Sequence, residues 1–128
     1  MTKLVACLAL VLAALFIAPA VQGQELTVPI VVSPSTINLA SQGTWVTVHA
    51  EIPFSDVDRT APVTLDGIKA VSIFADDCGD LVAKFAIADV RAAVDEGTVT
   101  LTLCGTTTDG SLFSGTDTVR VIRVNGGK

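Results

Sequence analysis

The chain has no tyrosine, one histidine, His49, and one tryptophan, Trp45. So few imidazole and phenol groups leave general acid–base and nucleophile pairs scarce, and no enzymatic constellation stands out. Cations are sparse as well, eight against thirteen carboxylates. A polyanion is bound by clustered Lys and Arg, whereas Arg59, Lys69, Lys84, Arg91, Arg120 and Arg123 are scattered among acidic residues. The closest pair, Arg120 and Arg123, reads as solvated strand residues, so no nucleic-acid partner is expected. Internal repeats and low-complexity linkers are missing too, which leaves room for one domain.

Only one long apolar run exists. Met1, Thr2 and Lys3 form a short positive start, Leu4 to Ala18 is uncharged and apolar, and Pro19 breaks the run before small residues. That is the grammar of a secretory signal. Cleavage after Gly23, with Val21 three places before the cut, is favoured over cleavage after Ala20. Such a run could nearly cross a bilayer of about 30 Å as an uncleaved anchor, but the small residues favour removal. The order Leu4-Val5-Ala6-Cys7 has the letters of a lipoprotein signal, yet its Cys precedes most of the apolar run. The expected division is residues 1–23 as signal peptide and residues 24–128 as one exported domain, secreted, at the cell surface or periplasmic. No membrane span remains after cleavage. With Lys3 removed, seven of the eight basic residues face thirteen acidic ones.

The domain then retains two cysteines, Cys78 and Cys104. An even count in an oxidising compartment predicts a disulfide. Closing that loop would be worth about 3.5 kcal/mol in the chain-entropy model. A metal or redox thiol pair would need closer spacing and a neighbouring histidine.

What is abundant is Val, Thr, Ile and Leu, residues that fit a pleated, half-buried surface. Thr44 to Ile52 and Thr98 to Leu103 alternate apolar and polar residues, the period of a strand with one buried face. Pro29 interrupts Leu26 to Val32 and predicts an edge or bulge there. Asp66-Gly67 between Val63–Leu65 and Ile68–Phe74 predicts a tight hairpin. Ala86 to Val94 has apolar residues at three- and four-residue spacing, which predicts about two turns of helix. Leu112 to Val124 reads as strands around a bend at Gly115. The fold class expected is all-β, an antiparallel sandwich of about seven to nine strands with one short helical crossover.

The order Ile37-Asn38-Leu39, Gly43 to Val48, Asp56-Val57-Asp58 and Val63 to Gly67 resembles a recurrent immunoglobulin-like module of exported bacterial and archaeal proteins. Val82 to Phe85, Val90, Glu96-Gly97, Val99 to Thr102, Thr108-Asp109-Gly110, Phe113, Gly115, Asp117 and Val119 to Ile122 resemble its closing half, so the likeness spans most of the domain. It implies an immunoglobulin-like β-sandwich and no particular activity. The family commonly carries a longer Asp- and Gly-rich loop resembling a calcium loop. Here only Asp76, Asp77 and Asp80 remain, and calcium takes six to eight oxygens, so the expectation is at best a weak calcium site beside a plain solvated turn.

Other chemistry has simple structural explanations. Asp56 and Asp58 suit local turn hydrogen bonds better than a glycosidase pair, and His49 falls on the polar face of its strand. Trp45 fits a sandwich core or, if exposed, a sugar-stacking platform. The function expected is a non-enzymatic structural, adhesive or interaction module whose partner is a protein or glycan at the cell exterior. A weak calcium- or carbohydrate-binding module is the first alternative. A fibre subunit is the second, with Glu25 to Val32 pairing with a neighbour's sheet edge, and self-association is left open.

Overall fold

The structure, a computed structural model, describes residues 25–40 and 43–124. The expected leader and its cleavage site lie outside the described residues. Ten strands are described: β1 (Glu25–Thr27), β2 (Ile30–Ser33), β3 (Thr36–Asn38), β4 (Trp45–Pro53), β5 (Thr64–Leu65), β6 (Ile68–Lys69), β7 (Ser72–Ala75), β8 (Asp80–Ala86), β9 (Gly97–Thr106) and β10 (Leu112–Ile122). One sheet has the order β2-β4-β8-β7, the other β1-β10-β9-β5-β6 with β3 also on β10. The chain is thus an all-β sandwich with a single α-helix among the described residues, α1 (Ile87–Ala93). No described helix is long and apolar enough to cross a membrane.

Alternation decides which side chains meet between the layers. In β4 Val46, Val48, Ala50 and Ile52 are buried while Trp45, His49 and Glu51 are exposed. In β9 Leu101 and Leu103 are buried and Thr98 and Thr100 exposed, as the sequence rhythm predicts; Thr102, on the outer face, is nevertheless buried. Phe85 and Phe113 are the largest fully buried side chains, each worth about 1.5–3 kcal/mol by burial. The helix carries the chain from one sheet to the other. Its first N–H, on Ile87, donates to Thr44 O at 3.0 Å, and Ile87, Val90 and Val94 join the core.

Two local expectations change. Ile68 to Phe74 is not one strand: Ala70 N donates to Val63 O in one sheet, and Val71 N donates to Lys84 O in the other. The chain changes layer between these two residues. Pro29 falls between β1 and β2, each at the edge of its sheet as the proline predicts, and there too the chain changes layer. Gly115 is no bend, because β10 runs unbroken past it. A Cβ there would sit 2.2 Å from Val28 O, and its absence lets Val28 N reach Ser114 O at 2.8 Å.

Candidate functional site

The outer face of the β2-β4-β8-β7 sheet carries an exposed aromatic and apolar patch. Register places Val31, His49, Val82 and Phe74 in one row across the four strands, and Ser33, Thr47, Lys84 and Ser72 in the next. Trp45 lies one row further, opposite Ala86. Val31, Trp45 and Phe74 are 58%, 43% and 41% exposed. Trp45 is therefore no core plug. It begins β4 on the outward parity, and Val46 takes the inward place.

Lys84 stands between the two rings. Its Nζ lies 5.7 Å from the centroid of Trp45 and 5.7 Å from that of Phe74. Both are within reach of a cation–π attraction, about 0.5–1 kcal/mol each at exposed sites. The ammonium thus links the two rings across the register of β4, β8 and β7. Sequence reasoning reached Trp45 but missed Phe74 and Lys84, which come together only through the β4–β8–β7 register.

His49 is exposed on this face, as its parity predicts, with Nδ1 3.8 Å from Asp76 Oδ2. Asp76 chiefly closes a turn. Its Oδ1 accepts from Cys78 N at 2.8 Å and Asp80 N at 2.9 Å. The Asp80 N–H bond, aided by Cys78 N–H and the nearby His49, holds the carboxyl below its usual range against the opposing effect of desolvation. The turn's own amides thus take up Asp76 Oδ1, and no group of three or more His, Cys, Asp or Glu that could hold a metal ion is found among the described residues.

The expected Cys78–Cys104 bridge is also absent. Cys78 is a free, exposed thiol in the turn between β7 and β8. Cys104 lies on β9 in the other sheet, between the buried, inward-facing Leu103 and Gly105. The pleat turns Cys104 outward, away from the layer that carries Cys78.

The other carboxylates of interest also shape turns. Asp58 Oδ1 accepts from the Thr60 hydroxyl at 2.6 Å and Thr60 N at 2.9 Å, which lowers its pKa. Asp109 is lowered by the Thr107 hydroxyl and by Ser111. Asp56 takes part through its main chain, accepting Thr108 N at 2.9 Å. These shifts have local structural causes and mark no acid–base pair. Two hollows were not foreseen. One of about 280 Å³ opens on the outer face of the second sheet beside Thr64, Cys104, Leu112 and Ser114. Another of about 400 Å³ lies between Thr27, Glu51, Asp56 and Asp109.

The segment expected to serve a neighbour in a fibre is engaged at home, Glu25–Thr27 on β10 and Ile30–Ser33 on β4. No protein-family model matches the sequence, and no curated protein or solved structure matches it.

Proposed function

We propose that the chain is an exported, non-enzymatic interaction module of immunoglobulin-like kind, which holds a protein or glycan partner on the outer face of the β2-β4-β8-β7 sheet. The observation that carries this reading is the exposed Trp45–Lys84–Phe74 cluster. Aromatic side chains on a rigid sheet supply contact area at low entropic cost, and such residues dominate binding energy where they anchor a partner. Strand order supports the immunoglobulin-like part. With β2, β4, β8 and β7 as A, B, E and D, and β10, β9 and β5 as G, F and C, both sheets follow the order of that fold. The apolar run of residues 4–18 supports export. A glycan is favoured among partners by the exposed Trp45 ring, which offers a flat face to a sugar.

The test measures binding of labelled protein to the surface of the producing cells and to an array of their purified surface polysaccharides. Trp45→Ala should weaken binding by at least about tenfold, the effect of a hot-spot residue. Thr100→Ala, exposed on the opposite sheet, should leave it unchanged. Equal binding by both variants removes the face from consideration.

A further inference from the structure

The edges of a sheet expose unpaired main-chain groups, and proteins usually guard them with charge, proline, short strands or cover. Three of the edges here are guarded. β1 and β3 are three residues long, and Pro29 and Pro34 flank β2. The outward N–H of Val32 on β2 is capped by Asp117 Oδ2 at 2.9 Å. β6 is two residues long and ends on exposed Lys69.

β7, as long as β2 at four residues, has no charged, proline or capping residue to guard its edge among the described residues. From Ala70 to Ala75 the chain has no charge and no proline, and Val71 and Phe74 are 57% and 41% exposed. Asp76 N bonds across to Asp80 O at 2.8 Å, two places beyond the Phe74–Val82 pair. In an antiparallel ladder the groups facing a partner alternate. The main-chain groups of Ser72 and Phe74 therefore face β8, and those of Ile73 and Ala75 face away from it at the sheet edge.

We propose that this edge pairs with the same edge of a second copy of the chain, antiparallel about a two-fold axis at Ile73. The pairing is self-complementary. It sets Phe74 opposite the small Ser72 of the copy, and Val71 opposite Ala75, in both halves. Charge selects the antiparallel sense and argues for a second copy in this orientation. The acidic turn of Asp76, Asp77 and Asp80 directly follows β7, so an antiparallel pair holds the two turns at opposite ends, whereas a parallel pair would set them side by side. The two four-stranded sheets become one continuous sheet, and both Trp45–Lys84 clusters face the same way on it. A module weak at one site would thereby bind a repetitive surface through two.

Sedimentation of the purified protein from about 1 to about 100 µM should show a reversible monomer–dimer equilibrium, the range expected of a modest interface. Amide exchange should slow at Ile73 and Ala75 as concentration rises. Ala75→Pro removes an outward donor without touching the β7–β8 ladder, and Ser72→Glu, opposite Lys84 in its own sheet, sets a carboxylate against Phe74 of the copy. Each should keep the circular dichroism and melting temperature of the parent at low concentration and raise the dimer midpoint by at least about tenfold. A monomer throughout overturns the proposal and leaves the edge to a strand of another protein. A dimer that survives both variants, or one without protection at Ile73 and Ala75, overturns it equally.

Discussion

Gly115 shows how much one missing methyl group can decide. It lies in the middle of the long β9–β10 pairing, opposite Leu103, where any other residue would serve β10 itself. The requirement comes from the neighbouring segment, since a Cβ would meet Val28 O at 2.2 Å and Ile30 Cγ2 at 2.7 Å. Gly115→Ala must therefore push Val28 away or bend β10, which costs about 1–3 kcal/mol as overpacking does. Thr116→Ala, exposed next door, should stay within about 0.5 kcal/mol. Urea unfolding of the two variants beside the parent measures both. The sequence shows a glycine in a strand and hence some irregularity; whether that is a bend or a close approach depends on Val28, far away in the chain. Trp45 has the same difficulty. Alternation ties its parity to Val46 and Val48, but a strand's first residue can follow or break the rhythm, and here the consecutive apolar pair Trp45-Val46 splits between outside and core.

Among the elements, what depends on neighbours in sequence was legible. The Asp66-Gly67 turn joins β5 to β6 with positive φ at both residues, 50° and 85°, the conformation that Asp-Gly favours. The helix expected over Ala86 to Val94 forms as Ile87–Ala93. Elements that depend on distant partners were not legible: Ile68 to Phe74 reads as one mostly apolar run, and only the hydrogen bonds to Val63 and Lys84 divide it between two sheets. The Asp66 turn also has a tertiary role that its dipeptide signal does not contain. Its carboxylate accepts Thr102 N at 2.9 Å, and its own N–H donates to Thr102 O at 2.9 Å. The side chain thus extends the two-residue β5–β9 ladder by one rung. Asp66→Ala leaves the partly buried Thr102 N–H without an acceptor and puts a residue with a methyl side chain at positive φ, so it should cost about 1–3 kcal/mol. Asp66→Asn keeps an acceptor and tolerates the conformation, and should cost less than about 1 kcal/mol. A difference between the two in thermal or urea unfolding identifies the ladder bond; equal losses would assign the effect to charge.

Over the whole molecule, three of the polar turns gather together. Phe54 N bonds Gly79 O at 2.8 Å, Thr108 N bonds Asp56 O at 2.9 Å, and Val57 bridges Thr107. These contacts join the β4–β5 connection, the β7–β8 turn and the β9–β10 turn, each closed by its own carboxylate: Asp58, Asp76 or Asp109. The sequence marks each of these as a turn. Their meeting follows from the sheet order, which makes one acid-sensitive pole out of three separate motifs. All three carboxyls are held below the ordinary value, which is about 4 for Asp. A group whose folded pKa lies below its unfolded one stabilises fully above the unfolded value, and that contribution is lost as pH falls through the folded value. The melting temperature should therefore be flat in these groups from about pH 7 to about pH 5 and fall below about pH 4. Protection of the Thr60, Cys78, Asp80 and Ser111 amides should be lost at acid pH before that of the core amides of Val48 and Leu103. Asp76→Asn should shrink the acid-side loss, because an amide keeps an acceptor for Cys78 and Asp80 but has no proton to gain there. An Asp76→Asn protein that loses stability on acidification as steeply as the parent would place the acid-sensitive groups elsewhere in the molecule.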